Sequence, residues 1–371
     1  MSEFIRDDRN HYGGLSSLLR IDAKIFISII LITILGLLTI YSSSSGDISL
    51  VIKQLTRIII GIITMIFIAQ VHPDNLRLFA PFLYFFTFIL LVIVLFFGVG
   101  NTADRWLDLY FIRFQPSELM KIFVPLMVAW YYSNKPLPPK LSYIFIASLI
   151  VVVPVLMIMK QPDLGTALLI GMSGAIAILL AGISLKFFFG SSISILLLAP
   201  VLWMNMHDYQ KQRVLTFFDP ESDPMGAGYH LLQSKIALGS GGFFGKGFFN
   251  GTQSKLGFVP EHSTDFIFSA FGEEFGFLGV LLLMSLYLFI ALRGLSISVR
   301  ATDNFGRILS GTLSLTLFLY VIVNVGMVIG FLPVVGAPLP FMSYGGTSMV
   351  TLFATVGIIM SVKSHQRILR K

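Results

Sequence analysis

The chain has 371 residues, of which 55% are hydrophobic and only 12% charged. Soluble domains carry about a quarter charged residues, so a large soluble core is excluded. The net charge of +7 falls on a chain without basic and aromatic residues interleaved on polar faces, which excludes nucleic-acid binding and points to membrane topology and anionic head groups. With no cysteine, disulfides, thiolate metal sites and cysteine nucleophiles are excluded as well.

In chain order, residues 1–23 form a polar tail that is too long and acidic for a signal peptide and is read as cytoplasmic. Residues 24–371 then read as one polytopic membrane domain. Apolar runs of about 20 residues, the length that spans a bilayer core, lie near 24–42, 51–71, 78–98, 117–133, 142–159, 164–182, 187–206, 266–292, 307–331 and 343–362. The expected fold is an all-α membrane protein of about ten transmembrane helices. A large extracytoplasmic loop, 207–264, joins the seventh and eighth. With both termini inside, the short outer loops carry only Arg105, Arg113 and Lys160 as basic residues, which satisfies the positive-inside rule.

Charged residues inside spans are expensive and mark function or tight pairing. Glu118 and Lys121 sit at i and i+3 on a helix opened by Pro116, spaced to neutralise one another. Lys53 and Arg57 suit snorkelling to the membrane surface. Asp163 follows Pro162 and can cap the next helix while facing the outer side. At Asp265 the polar loop turns into an apolar helix, and Glu261, His262 and Asp265 cluster at the mouth of the membrane domain. Such a boundary suits either an N-cap or a general base. Glu273 and Glu274, two turns deeper, call for a basic partner inside the bundle.

The 207–264 loop contains apolar repeats that suggest short amphipathic helices lying on the membrane surface. Loops of this length are usually lids or binding surfaces. Lys211, Arg213, Lys235 and Lys246, with backbone N–H groups of the run GSGGFFGKG (239–247), are candidates for holding phosphates. The run is not a nucleotide-binding P-loop: Ser240 stands where the first glycine is required, and Gly247 replaces the Ser/Thr after Lys246. His207, His230 and His262 lack metal-ligand spacing.

The motifs RFQPSELMK (113–121), QPDLGT (161–166), HDYQKQRV (207–214), DPESDPMGAGYHLLQSKIALGSGG (219–242), GKGFFNGTQSKLGFVPEHSTDFIF (245–268) and GFLPVVGAPLPFMSYGG (330–346) resemble the SEDS family of cell-wall proteins. The likeness is closer to its elongation branch than to its division branch. It implies a peptidoglycan glycosyltransferase that polymerises lipid II into β-1,4 glycan strands at the outer face of the bacterial inner membrane. The implied partners are a class B penicillin-binding protein and other elongation-complex membrane proteins. By the same resemblance Asp265 is the catalytic carboxylate. Arg113, Gln115, Glu118, Lys121 and Asp163 belong to the functional cavity, and Arg213 and Lys235 are basic residues of the loop. Glu261 and His262 stand beside the catalytic position. No organic cofactor is expected; a divalent cation, Mg or Mn, is a candidate for neutralising the leaving pyrophosphate. A lipid II flippase and a non-catalytic scaffold for the penicillin-binding protein are the alternatives.

Overall fold

The computed structural model describes residues 20–99, 105–108, 113–184, 190, 199–204, 208–220, 226–255 and 263–365. Helices α1 (Ala23–Ser43), α2 (Ile48–Gln70) and α3 (Pro73–Phe97) come first. A short hairpin of β1 (Leu107–Asp108) and β2 (Arg113–Phe114) precedes α4 (Pro116–Ser133), α5 (Leu141–Lys160) and α6 (Leu164–Leu180). The predicted span at 187–206 lies mostly outside the described residues; its end forms α7 (Ala199–Met204). Loop helices α8 (Asp208–Phe218), α9 (Ala227–Ser240) and α10 (Thr252–Lys255) follow. The chain closes with α11 (Ile267–Val299), α12 (Asn304–Ile329) and α13 (Thr347–Ser364).

Seven of these helices, α1, α2, α3, α5, α11, α12 and α13, are long and apolar enough to cross a bilayer, and α6 is a shorter apolar helix. Local chemistry sets their starts. Asp22, Asp47, Asp163 and Asp303 each accept a first-turn N–H, capping α1, α2, α6 and α12. Proline opens α3 and α4, where its missing N–H costs nothing. Helix α4 is well enclosed: Met120, Val124, Val128, Ala129 and Tyr132 are fully buried. An ion pair on this helix is therefore shielded from lipid.

The structure departs from hydropathy in three places. Helix α11 is broken at Gly276, whose φ of 64° and ψ of −165° are open only to glycine. The break frees backbone groups, and the glycine-rich 241–247 segment wedges in to satisfy them. Lys246 N and Gly247 N donate to the Glu273 and Glu274 carbonyls at 3.0 Å each, while Phe277 N and Leu278 N donate to Gly242 O and Phe243 O. The run read as a phosphate cradle thus uses these backbone groups to complete a helix. Second, α9 is docked in the bundle and does not merely rest on a membrane surface. Leu231, Ser234 and Ala237 are buried, and the Ser234 hydroxyl donates to Val328 O at 3.0 Å.

Third, α12 ends at Ile329 and α13 begins only at Thr347, leaving a connector of non-helical backbone, 330–346, whose 337–343 stretch is packed inside the bundle. Such backbone is stable at membrane depth only when protein satisfies its polar groups. Here it is tied from several helices. Gln54 of α2 donates to Ser343 O (3.0 Å) and accepts from Gly345 N (3.3 Å). Tyr287 of α11 donates to Pro340 O at 2.5 Å, and Asn324 of α12 donates to Ala337 O at 2.7 Å. Arg57 does not snorkel outward; its guanidinium lies 4.3 Å from the Tyr344 ring centroid.

At the opposite end of the bundle, Asp22 is 1% exposed and takes Lys363 at 2.6 Å and Arg293 at 3.0 Å. Burial pushes its carboxyl upward, but the hydrogen bond and charge of Lys363, the Ile25 N–H and Arg293 together hold it below its ordinary value.

Candidate active site

Asp265 stands in the turn just before α11, and that turn is fastened by its backbone. The Asn324 amide donates to Asp265 O at 2.9 Å, the Ser343 hydroxyl to Thr264 O at 2.7 Å, and Tyr344 N to Ser263 O at 2.8 Å. All three partners flank or belong to the connector. The Asp265 carboxylate faces Gly336, where a Cβ would lie 3.4 Å from Oδ2 and where φ is 71°. Glycine there serves both backbone conformation and access to the carboxylate.

The two basic loop residues reach the same connector. Arg213 of α8 donates to Val334 O at 3.2 Å. The Lys235 ammonium of α9 packs against Gly330, where it fills the space a side chain would need. Within seven residues, Gly330, Val334 and Gly336 thus bear Lys235, Arg213 and Asp265, which are scattered over some fifty positions of sequence.

A second group abuts the connector from α6. Asp163, 5% exposed, accepts from Gln115 Nε2 at 2.8 Å, pairs with Arg105 at 3.3 Å and caps α6 through Thr166 N. Two residues on, Gly165 packs directly on the Val335 carbonyl. Arg113 is not part of this group. It is exposed on β2 and faces Asp108 across the hairpin at 3.5 Å. The arginine beside Asp163 is Arg105. The sequence signal for Arg105 was slight, since it is one charge in an outer loop; a bridge between Val99 and Trp106 brings it back to the bundle.

The third group lies deeper. Lys121 binds Glu118 at 2.7 Å, and the Thr351 hydroxyl donates to the other Glu118 oxygen at 3.3 Å. Lys121 also sits 5.2 Å from the Tyr320 ring centroid. These side chains line a small cavity between α4, α12 and α13, which the connector closes with Pro338. The expected ion pair is thus present and borders open space.

Lys246, a candidate phosphate ligand, is bound instead to Glu273 at 2.7 Å, answering the expectation of a basic partner for that carboxylate. Glu274 accepts from Ser42. Glu261 and His262 lie outside the described residues. Among the described residues no three His, Asp or Glu side chains gather as a metal site. Asp163 is already compensated by Arg105 and Gln115, so the described donors do not by themselves fit Mg or Mn.

Comparison with known proteins covers nearly the whole chain. The profile of a cell cycle protein family, FtsW/RodA/SpoVE, matches residues 22–368. The peptidoglycan glycosyltransferase MrdB of Escherichia coli (strain K12) is 46% identical over 353 residues, 95% of each chain. A chain from a structure titled for polymerization and crosslinking by a peptidoglycan synthase complex superposes with a TM-score of 0.81 at 26% identity, covering 93% of this chain and 99% of that one. The rod shape determining protein RodA of Thermus thermophilus shares the fold, with a TM-score of 0.71 at 24% identity and coverage of 93% and 97%.

Proposed function

The chain belongs to the FtsW/RodA/SpoVE family and is a multi-pass membrane peptidoglycan glycosyltransferase; we propose that Asp265 is its general base and that the 330–346 connector is the platform on which the reaction is assembled. The observation that carries this reading is the convergence of the Asp265 carboxylate, Arg213 and Lys235 on that connector.

The substrates are lipid II and a growing glycan, both linked to undecaprenyl pyrophosphate. Asp265 accepts the proton of the acceptor's GlcNAc 4-hydroxyl as that oxygen attacks the anomeric carbon of the donor MurNAc. The bond to undecaprenyl pyrophosphate breaks, and the α-linked donor inverts to a β-1,4 linkage. Arg213 and Lys235 are placed to neutralise the charge developing on the leaving pyrophosphate. Gln115, Arg105 and Asp163 brace the connector from the far side. The Glu118–Lys121 pair borders a small, largely apolar cavity beneath it.

The charge bias supports placing the site on the periplasmic side of the inner membrane with both termini in the cytoplasm. The likeness to MrdB supports a role in cell elongation and rod shape. The likeness to a peptidoglycan synthase complex supports a class B penicillin-binding protein as the cross-linking partner, within an assembly of elongation proteins. Loss of a general base costs about 10²–10⁴ in rate. Asp265→Asn, purified with its partner and given labelled lipid II, is expected to lose polymerisation by that factor while retaining partner binding. Polymerisation at the wild-type rate overturns the assignment. A flippase or a pure scaffold would also be insensitive to this substitution in its own assay, lipid translocation or partner recruitment.

A further inference from the structure

We propose that Asn324 is a positioning residue for glycosyl transfer, setting the place of Asp265 relative to the basic side chains on the connector. The inference rests on the reading of Asp265 as the base. Asn324 is completely buried in α12, an apolar helix in which an uncommitted amide would be costly. Its Nδ2 group donates two hydrogen bonds to two different segments, Asp265 O at 2.9 Å and Ala337 O at 2.7 Å. Both carbonyls belong to non-helical backbone, outside the regular ladder of a helix.

The use made of the side chain is one-sided. Its Oδ1 is buried and has no hydrogen-bond partner among the described residues, so the position uses asparagine chiefly as a double donor. Of the two segments it joins, one carries the carboxylate. The other carries Gly336, which faces that carboxylate, and Val334, which takes Arg213. Ser343 makes a second tie between the same segments, donating to Thr264 O and accepting from Leu339 N at 2.8 Å. With Ser343 and Tyr344 N still holding the turn, loss of Asn324 lets it shift without releasing it. That is the condition under which catalysis suffers more than folding. Misplacing a reacting group by an ångström costs about 10²-fold in rate.

Asn324→Leu keeps the size and removes both donors; Asn324→Ser is shorter and keeps a single hydroxyl donor, which serves if the leucine variant does not fold. The assay is steady-state polymerisation of labelled lipid II by the purified protein with its partner, alongside thermal unfolding. For the leucine variant kcat is expected to fall about 10–100-fold, with KM for lipid II within about twofold of wild type and partner binding intact; for the serine variant the loss is smaller and again confined to kcat. A folded variant of either kind with wild-type kcat, or with its loss in KM alone, overturns the proposal. Asp265→Asn measured in parallel separates the two readings. If it is inactive while the Asn324 variants are normal, only the positioning role fails. If it polymerises normally, the base assignment fails and takes the positioning role with it.

Discussion

Replacing Lys246 by methionine removes a charge that compensates a carboxylate with no solvent exposure. Glu273 Oε1 receives the Lys246 ammonium at 2.7 Å, Thr252 N at 2.9 Å, and the Thr252 hydroxyl and Gln253 N at 3.1 Å each. In Lys246→Met the three neutral donors remain, but the charge is stranded in a site that is 0% exposed. Breaking a buried pair in this way costs about 3–5 kcal/mol, and the surviving hydrogen bonds place the expected value near 3 kcal/mol. Removing both charges is a different perturbation. In Lys246→Met/Glu273→Gln the amide oxygen still accepts from Thr252 and Gln253, and no ion is left behind. The double variant is expected within about 1 kcal/mol of wild type. The measurement is thermal unfolding of nanodisc-embedded protein, with proteinase K cleavage of the 241–247 segment as a local readout. Equal unfolding temperatures for the single and double variants would refute the stranded-charge reasoning, as would a single variant as stable as wild type.

Arg105→Ala is expected to lower polymerisation about 10-fold or more by loosening Asp163, whereas Arg113→Ala leaves it nearly unchanged; the reverse order in a lipid II assay would restore Arg113 to the site. Gly276→Ala brings a Cβ against the backbone of Phe243, Phe244 and Gly245, adding about 1–3 kcal/mol of strain and about 1 kcal/mol for each wedge hydrogen bond lost, to be read as a lower unfolding temperature. Asp22→Asn is expected to destabilise by about 3 kcal/mol at neutral pH. Because the folded-state pKa of Asp22 lies below its ordinary value of 3.8, this stabilisation is complete above that pH and is lost as the pH falls through the folded value. Unfolding curves of wild type and Asp22→Asn should therefore converge in acid, and curves that stay apart by a constant amount contradict the sign.

Hydropathy made most of the bundle legible. The runs at 24–42, 51–71, 78–98, 117–133, 142–159 and 164–182 correspond to α1 through α6 with ends displaced by a few residues. The switch from polar to apolar residues at 265 located the carboxylate, and the spacing of Glu118 and Lys121 announced their pair. Hydropathy left 332–342 between two spans; that this stretch is fastened to the bundle depends on hydrogen bonds from Gln54, Tyr287 and Asn324, remote in sequence. For the same reason Asn324 drew no notice, being a single amide in a long apolar run. Lys246 and the glycines around it look like an anion cradle until their partners at 273–278 are known, since a local pattern cannot tell a ligand from the protein's own carbonyls. Arg57 was read by depth alone, and Tyr344, which it meets, lies nearly three hundred residues away.

The wedge at Gly276 also bears on how the chain is built. Residues 241–247 leave the ribosome some thirty positions ahead of 273–278, the segment whose broken turn they complete. The first two turns of α11 therefore arrive at a receptor that has already been synthesised, with Lys246 waiting for Glu273. A chain in which that order is reversed, for instance by circular permutation between 250 and 265, would present the membrane with four exposed backbone groups and an unpaired carboxylate before their partners existed. Chain order here is itself part of the folding mechanism.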